Sequence, residues 1–329
     1  MKKFINGADT ILVESLEGLC AAHSDLLVLG DEYKFVRRAK LMPGKVGLIS
    51  GGGSGHEPLH AGFVGHGMLD AACPGQVFTA PTPDQIMAAA EAVDSGTGLL
   101  FIVKNYEGDV MNFDMGREMS GRTIETVITN DDVAVEDSLY TTGRRGVAGT
   151  LIVEKIVGAA AERGMPLGEL KFLGDGVNQD TRSMGVALTS CTVPAAGKPT
   201  IEIGDDELEM GVGIHGEPGR RRIKMMSANA IAEELCETIC GDLGSAAKGN
   251  AIVLVNGFGG TPAMELYLMF NAAKPFLEKH GVKIARSLVG SYVTSLEMAG
   301  CSLTVCMASD EMLKLWDDPV HTAALRWGV

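Results

Sequence analysis

The sequence predicts an α/β fold with two lobes, each a central sheet flanked by helices. Short apolar runs rich in β-branched residues alternate with helical patterns along the whole chain, which is typical of α/β layering. At about 150 residues per domain, the 329 residues are enough for two domains. Glycine is about twice as frequent as usual, with 43 residues and no Gly-X-Y repeat, and this indicates many turns and close backbone approaches.

The first lobe is predicted to span residues 1–183. Its strands are predicted at Val46–Ser50, Leu99–Lys104 and Thr123–Thr129. A helix is predicted at Pro83–Val93, because proline favours the first helical turn. A second helix is predicted at Val147–Arg163, which has an Ala-rich apolar face and is followed by Gly164.

The second lobe is predicted to span residues 184–329. Its strands are predicted at Gly185–Thr192, Leu208–Ile214, Ala251–Val255, Val282–Val289 and Ser302–Met307. Its helices are predicted at Ala228–Cys240 and Pro262–Lys279. The stretch Gly174–Asp180 has the composition of a linker or of a single loop. An apolar strand, a glycine-rich turn and a proline that opens a helix occur in this order at 46–58 and at 252–262, which supports two similar units.

Composition narrows the classes of protein to consider. Lys and Arg number 28 against 42 Asp and Glu, and the net charge of −14 repels phosphate backbones and anionic lipids. We therefore expect neither nucleic acid nor a membrane as a partner. The longest apolar runs fall far short of the roughly 20 residues of a membrane span. Polar residues at 6–10 interrupt any signal core, and seven scattered cysteines without a C-x-x-C pair indicate reduced thiols, so we expect a cytoplasmic protein.

The most informative segment is Ile49–Pro58, which reads Ile-Ser-Gly-Gly-Gly-Ser-Gly-His-Glu-Pro. Small residues after a buried strand let backbone N–H groups approach a ligand closely. A dinucleotide fingerprint or a nucleophile elbow needs glycine where His56 stands, and a P-loop needs Gly-Lys-Ser/Thr after its last glycine. All three interpretations fail at this histidine.

A fourth interpretation is a zinc site, because the segment from His56 to His60 matches H-E-x-x-H literally. In that motif both histidines lie inside a helix, whereas Pro58 here marks the first helical turn. No obvious third ligand follows. The alternative for His60 is a residue on the flank of a helix that packs on the sheet.

Polar side chains are predicted at the carboxyl ends of two strands, where open α/β sheets bind ligands. His56 follows the first strand, Lys104 closes the second, and Asp109 lies in the loop beyond it. If these strands share a sheet, a base, a cation and a carboxylate surround one crevice. Taken singly, Lys104 could be a solvated lysine and Asp109 an ordinary turn aspartate.

The second lobe contributes His215, which lies within the glycine-rich segment Gly211–Gly219. A histidine flanked by glycines at the end of a strand presents its imidazole without steric cover. Such an imidazole suits a nucleophile or a proton carrier. A core histidine would more usually sit among apolar neighbours.

Taken together, these motifs resemble the K subunit of bacterial dihydroxyacetone kinases, in the short form that works with a phosphotransferase system. The resemblance covers the whole length. It rests on an ordered series of segments, namely Gly51–Pro58, Cys73–Gly75, Phe78–Asp84, Lys104–Asp109, Asp131–Val135, Gly143–Gly146, Cys191–Pro194, Gly211–Gly219 and Asp318–His321.

The resemblance implies a covalent site for a small ketose. His215 would attack the ketone carbon of dihydroxyacetone to form a hemiaminal, which selects a carbonyl over glycerol. His56 and Asp109 would handle protons as a pair, so that the catalytic residues are His56, Asp109 and His215. The residues expected to hold the substrate are Gly53, Ser54, Gly55, His56, Lys104, Asp109 and His215.

The resemblance also implies the source of the phosphate. The chain has no P-loop, no kinase glycine loop and no clear metal-binding aspartate cluster, so we expect it to bind no cofactor and no metal itself. ADP or ATP with magnesium would be held by a separate L-type subunit, which a phosphoryl-carrier M-type subunit recharges. The chain stops at Val329, where K parts usually end, and members of the family are homodimers.

Several points stay open at the level of sequence. Ala80 stands where some relatives have serine, which puts one hydroxyl contact to the substrate in doubt. The basic run Arg220–Lys224 is either a solvated turn or part of the surface that docks the donor subunit. The family also includes paralogues that hold dihydroxyacetone in the same way and act as co-activators of a transcription factor, so a sensing protein is the alternative to a kinase subunit.

Overall fold

The computed structural model describes residues 2–135 and 141–329. Within them the helices are α1 (Ile11–Ala22), α2 (Pro83–Val93), α3 (Glu107–Ser120), α4 (Gly149–Glu162), α5 (Leu167–Gln179), α6 (Ala228–Leu243), α7 (Ala263–His280) and α8 (Asp310–Asp317). The strands are β1 (Leu27–Leu29), β2 (Val36–Arg38), β3 (Gly47–Ser54), β4 (Gly65–His66), β5 (Ala71–Val77), β6 (Leu99–Lys104), β7 (Ile124–Thr129), β8 (Thr181–Ala187), β9 (Glu207–Met210), β10 (Arg221–Lys224), β11 (Gly249–Gly257), β12 (Val282–Gly290), β13 (Gly300–Met307), β14 (Val320–Thr322) and β15 (Arg326–Trp327). None of the described helices has the length and apolar character needed to cross a membrane.

Two large sheets organise the described part of the chain. The first has the order β1-β2-β5-β3-β6-β7, and its strands β5, β3, β6 and β7 run parallel. The second has the order β10-β9-β8-β13-β11-β12 and is antiparallel except for the pair β11 and β12. A small third sheet joins β15, β14 and β4. The predicted α/β fold, with helices flanking central sheets, is confirmed.

Alternation of side chains along the strands produces the layers. In β6, Leu100 and Ile102 point to one face of the first sheet, whereas Phe101 and Val103 point to the other. The second face packs against α2 and α3, and the first packs against α4. Helix α4 is buried from Gly149 onward and lies between the two sheets, while α6 and α7 cover the far face of the second sheet.

The glycine-rich segment does not form the predicted turn and helix. Gly51–Ser54 continues β3 and pairs with β5, and residues 55–60 then form turns before a short 3₁₀ turn at Ala61–Phe63. Glycine is required in the strand because a Cβ at Gly51 would lie 2.5 Å from the carbonyl oxygen of Cys73. The glycines therefore reach the site as a crowded strand end and not as a flexible loop.

The predicted linker at Gly174–Asp180 is also wrong, because α5 continues through Gln179. A Cβ at Gly174 would lie 2.7 Å from a methyl carbon of Val127 and 3.4 Å from one of Val157. The absence of a side chain lets α5 approach both the first sheet and α4. Composition alone suggested a linker, but this glycine serves close packing.

The predicted boundary between residues 183 and 184 falls inside β8. The first sheet takes its strands from residues 27–129 and the second from residues 181–307. The last segment returns to the first half, because β14 pairs with β4 and places His321 opposite His66. The division into two lobes at residue 183 remains a prediction.

Candidate active site

Two histidines from distant parts of the sequence meet between the sheets. His56 follows β3, and His215 lies between β9 and β10, with their ring centroids 4.7 Å apart and nearly perpendicular. Phe78 stacks on His56 at 5.1 Å and meets His215 at 5.2 Å. Tyr106 contacts the ring of His215 at 4.6 Å. The segments that carry the two histidines thus share one site, and aromatic rings restrict the orientation of both imidazoles.

A cavity of about 540 Å³ opens beside His215. Its lining includes Gly53 from β3, Asp109 from α3 and Thr200 from the second half of the chain. Ala80 also lines it, so a serine at this position would place a hydroxyl at the cavity wall. A cavity of this size accommodates a small organic ligand with a few oriented polar groups.

The His215 imidazole is oriented by a carboxylate two residues away. Its Nδ1 lies 3.0 Å from Oε1 of Glu217, and its backbone N–H donates to Oε2 at 3.0 Å. Burial raises the pKa of Glu217, but its interactions with His215 and Arg145 outweigh the burial and bring that pKa to about 2. Because this carboxylate is ionised and can only accept, Nδ1 carries a proton, and in the neutral form of the imidazole the Nε2 lone pair is left for a substrate.

Arg145 supports this pair from inside the protein. Its guanidinium is fully buried and donates to Asp132 Oδ2 and to the carbonyl oxygen of Gly211, each at 2.8 Å. A Cβ at Gly213 would lie 2.0 Å from Oε2 of Glu217 and 2.6 Å from Nη1 of Arg145. Glycine at this position therefore lets the carboxylate and the guanidinium lie side by side.

His56 is arranged as a proton acceptor. Its Nδ1 lies 2.8 Å from the carbonyl oxygen of Thr294 and must carry the proton, since a carbonyl only accepts. Its Nε2 is buried and has no hydrogen-bond partner among the described residues. Burial, followed by the charges of His215 and Lys104, lowers the pKa of His56 well below its usual value. The ring is therefore neutral, with a free lone pair in the site.

Lys104 and Asp109 lie next to each other and near these histidines, and of the two Asp109 lines the cavity. Lys104 closes β6, is fully buried and has its Nζ 3.8 Å from Oδ2 of Asp109. Asp109 lies in the first turn of α3, where the helix dipole favours a negative charge. Burial nevertheless raises the pKa of Asp109, with Lys104 opposing that rise. This carboxyl group therefore binds a proton more tightly than an exposed aspartate does.

Fewer groups of the glycine-rich segment are free to bind a substrate than the sequence predicts. Gly53 lines the cavity beside His215, but the Gly55 N–H already donates to the Glu57 carboxylate, at 3.0 and 3.1 Å. The Ser54 hydroxyl donates to the carbonyl oxygen of Gly75 at 2.7 Å. The N–H of Gly55 and the O–H of Ser54 therefore have protein partners, and Gly53 is the best placed of the three to meet a ligand.

The predicted surroundings of His60 are wrong, because this residue lies in a buried polar cluster and not on a helix flank. Its Nδ1 is 2.6 Å from Oε1 of Glu154, and its Nε2 is 2.9 Å from Nζ of Lys104. Since residues 55–60 form turns, the two histidines of the H-E-x-x-H match do not share a helix face. In the described ranges, no group of three or more His, Cys, Asp or Glu side chains is arranged to hold a metal ion.

Sequence reasoning missed Tyr106, Glu154 and Glu217. Glu217 follows His215 at a spacing of two, which is short enough for one loop to fold a carboxylate back onto its own histidine. Glu154 stands with Lys155 inside an apolar helical run, and such buried charge is itself an indication of function or pairing. Tyr106 lies within the Lys104–Asp109 segment, and no feature of the sequence marks it as a site residue.

The basic run Arg220–Lys224 is less positive than its sequence indicates. Arg221, Arg222 and Lys224 each contact a carboxylate of the chain at 2.6 to 3.1 Å. Their charges are therefore largely compensated within the protein. A role for this run in docking stays a prediction.

Comparison with known proteins identifies close relatives. The Dak1 domain family matches residues 17–324. The chain is 51% identical to the dihydroxyacetone-binding subunit of PTS-dependent dihydroxyacetone kinase 1 from Listeria innocua, over 98% of this chain and 100% of that protein. It is 46% identical to the dihydroxyacetone-binding subunit of the PEP-dependent kinase from Escherichia coli, over the full length of both.

Solved structures show the same fold. The dihydroxyacetone kinase of C. freundii superimposes with a TM-score of 0.89 and 32% identity, over 99% of this chain and 60% of that chain. A dihydroxyacetone kinase operon co-activator superimposes with a TM-score of 0.87 and 34% identity, over 94% and 96% of the two chains. The chain therefore belongs to the Dak1 domain family of dihydroxyacetone kinase subunits, and so to the phosphotransferases.

Proposed function

We propose that the chain is the dihydroxyacetone-binding subunit of a phosphotransferase-system-dependent dihydroxyacetone kinase, and that His215 holds the substrate covalently. The observation that supports this most is the contact between His56 and His215 beside a cavity lined by both halves of the chain. Three relatives that are 46 to 51% identical to the chain are named as dihydroxyacetone-binding subunits. The cavity is large enough for a three-carbon ketose.

The covalent step follows from the orientation of His215. Its Nε2 lone pair attacks the ketone carbon, the C–N bond forms, and the π electrons of the carbonyl move to oxygen, which takes up a proton. The imidazole gains positive charge in this step, and the ionised Glu217 stabilises that charge through Nδ1–H. Glycerol has no electrophilic carbon and cannot form this bond.

Proton transfer is assigned to His56 and Asp109 as a pair. His56 offers a buried lone pair at Nε2, and Asp109 offers a carboxyl group with raised proton affinity. Between them they supply a proton to the carbonyl oxygen and remove one from the hydroxyl that receives phosphate. Lys104 supports the negative charge that develops on the substrate oxygen.

The phosphoryl group comes from outside this chain. We infer that ATP or ADP with magnesium is bound by a separate L-type subunit, which an M-type phosphoryl carrier recharges, and that the chain works as a cytoplasmic homodimer. The phosphoryl group must reach the cavity that Gly108, Asp109 and Asn112 line on the side of α3.

The direct test is to mix the chain with an L-type subunit loaded with ATP and magnesium, add dihydroxyacetone, and measure dihydroxyacetone phosphate. Product that depends on both proteins supports the kinase subunit. An Asp109→Ala variant should lose turnover far more than it loses covalent capture, because capture depends first on His215. If the wild-type pair makes no product, the proposal is overturned.

A sensing protein is the second candidate, since the structure of an operon co-activator superimposes on this chain with 34% identity. In that case dihydroxyacetone would bind to His215 in the same way, but no phosphate would be transferred. The same mixing experiment separates the two functions, because a sensor shows the covalent adduct by mass spectrometry without product.

A further inference from the structure

A buried polar cluster lies directly behind the substrate site, and the proposed reaction does not use it. Ser50, His60 and Glu154 are all buried, and His60 connects them to Lys104. Burying so many polar groups costs stability unless every group is paired or serves a function. The cluster therefore needs a physical account of its own.

The fold places these groups together through strand alternation. Ser50 on β3 and Lys104 on β6 occupy the same sheet face as Leu48 and Ile102, which faces α4. Helix α4 supplies Glu154 from the middle of its buried length. Gly52 completes the arrangement, because a Cβ there would lie 2.3 Å from Nζ of Lys104.

The hydrogen bonds of the cluster form a continuous chain. Nζ of Lys104 lies 2.9 Å from Nε2 of His60, and Nδ1 of His60 lies 2.6 Å from Oε1 of Glu154. Ser50 donates its only hydrogen to the carbonyl oxygen of Ile102 at 2.6 Å, so it cannot donate to His60. Each imidazole nitrogen thus faces one titratable group, with Lys104 at the substrate end and Glu154 at the inner end.

Two proton arrangements are compatible with this chain, and the first also lets Nδ1–H of His60 donate to the Ser50 oxygen at 2.9 Å. In the first, Lys104 is an ammonium that donates to Nε2, and His60 donates from Nδ1 to the Glu154 carboxylate. In the second, the Lys104 proton has moved to Nε2 and the Nδ1 proton has moved to Oε1, which leaves a neutral amine and a neutral acid. Both arrangements contain the same number of protons, and His60 is neutral in each.

We propose that His60 and Glu154 form an internal proton relay that keeps Lys104 neutral in the empty site and returns it to ammonium when negative charge develops on a bound substrate. In the empty site, the neutral arrangement avoids two buried charges. When an alkoxide forms, its field favours the ammonium, and the two protons move back toward the substrate. No proton from solvent is needed.

Two observations favour the neutral arrangement at rest. Oε2 of Glu154 is buried without a hydrogen-bond partner among the described residues, a position that suits a neutral acid better than a carboxylate. Burial raises the pKa of Glu154 to about 8, although Lys104 opposes the rise, and burial lowers the pKa of Lys104 against the attraction of Asp109 and Glu154. The proton affinities of the two ends are thereby brought closer together.

The charged and titratable groups around Lys104 come from each packed element. They are His56 and His60 in the turns after β3, Asp109 on α3 and Glu154 on α4. Among the described residues, Asp109 is the acidic group on the substrate side of Lys104. Its charge favours the ammonium, but burial of Lys104 outweighs it and lowers the pKa of the lysine.

The first test measures the charge of Lys104 in the chain alone. In protein labelled with ¹⁵N-lysine, with the Lys104 signal assigned by its loss in Lys104→Met, the Nζ signal of the free chain at pH 7 should be that of a neutral amine. An ammonium signal in the free chain overturns the relay.

The second test interrupts the relay while leaving its hydrogen bonds. The amide of His60→Gln can accept from Lys104 and donate to Glu154, but it cannot pass a proton. We expect kcat to fall about tenfold with KM within about twofold, and the pH profile of kcat to change. Glu162→Gln is the matched control, because Glu162 ends the same helix and binds Arg38 at 2.6 Å away from the site.

The role of Lys104 at the substrate rests on the proposed function, but its charge in the free chain does not. If wild-type protein makes no dihydroxyacetone phosphate while the free-chain signal is that of an amine, the proposed function fails and the relay in the empty site stands. If wild-type protein is active and His60→Gln keeps its rate and pH profile, the relay fails and the proposed function stands. Should His60→Gln not fold, the ¹⁵N measurement on wild-type protein decides.

Discussion

The molecule contains two histidine–glutamate pairs that differ in what surrounds the carboxylate. Glu217 lies beside the buried guanidinium of Arg145, accepts a backbone N–H and has its pKa brought to about 2 despite burial. Glu154 has one oxygen without a partner among the described residues, and burial raises its pKa to about 8. The first pair holds a fixed charge, and the second can exchange a proton.

This difference teaches that the pairing of residue types does not by itself define a role. A carboxylate held ionised by neighbouring donors fixes the tautomer of its histidine and leaves the opposite nitrogen as a nucleophile. A carboxyl group with few donors competes with its histidine for the proton instead. In this chain the first kind of pair faces the cavity, and the second lies behind it.

The largest effect is expected from removing the nucleophile. His215→Ala should abolish covalent capture of dihydroxyacetone and lower turnover by about three orders of magnitude or more, because the C–N bond can no longer form. Adduct mass and dihydroxyacetone phosphate should be measured together.

His280→Ala is the matched control, since this histidine is exposed at the end of α7. The control should behave as wild type in both measurements. Near-normal turnover in His215→Ala would show that the nucleophile is assigned wrongly.

A smaller loss is expected when the charge of the orienting carboxylate is removed. Glu217→Gln can still accept a hydrogen bond from Nδ1, but it loses the second oxygen that accepts the backbone N–H of His215 and cannot stabilise positive charge on the ring. We expect adduct formation to slow by about a hundredfold, with the fold intact. Stopped-flow or quenched-flow measurement of the adduct tests this. An unchanged rate would mean that Glu217 serves structure alone.

Gly52→Ala tests the second pair without altering the first. The new Cβ would lie 2.3 Å from Nζ of Lys104, so the lysine must move away from the substrate oxygen. We expect dihydroxyacetone binding to weaken about tenfold, on the scale of one lost charge-assisted hydrogen bond. Gly176→Ala on α5 is the control, because its Cβ meets nothing within 4 Å. Equal binding by both variants in calorimetry would contradict the assigned position of Lys104.

The last effect concerns stability at acid pH. The pKa of Glu217 is about 2 in the folded chain and near 4.5 when unfolded, so the unfolded state binds the proton more tightly. Wild-type protein should therefore exceed Glu217→Gln in stability above pH 4.5, by about 3 kcal/mol, and lose this advantage as the pH falls toward 2. Denaturant unfolding between pH 2 and 6 measures it. A difference that stays constant over this range would rule out the lowered pKa.

Much of the fold could be predicted because strands and helices here are marked by local pattern. The apolar run Leu99–Lys104 is a buried strand with the predicted ends, and Pro83–Val93 begins at its proline. Prediction failed where glycine serves packing. Gly51–Ser54 and Gly174 look like loop residues in sequence, but they allow backbone and helix to approach closely in the structure.

The candidate site could be predicted where a residue follows a strand in a glycine-rich setting, as His56 and His215 do. The polar cluster behind it could not, because Glu154 and His60 are 94 residues apart and meet only through the packing of α4 on the first sheet. A sequence pattern predicts which face of a helix is buried, but it does not predict which side chain of another element packs against that face. The pairing of Glu217 with His215 could have been predicted from the sequence, since both residues lie in one short loop.

The central claim is that His215 forms a covalent bond with a small ketose. A crystal of the chain soaked with dihydroxyacetone tests it most directly. We predict continuous electron density from Nε2 of His215 to a tetrahedral carbon of the ligand, with the resulting hydroxyl near Lys104 or His56. Density for an intact, planar ketone separated from this nitrogen, or for a ligand bound elsewhere on the protein, would contradict the account.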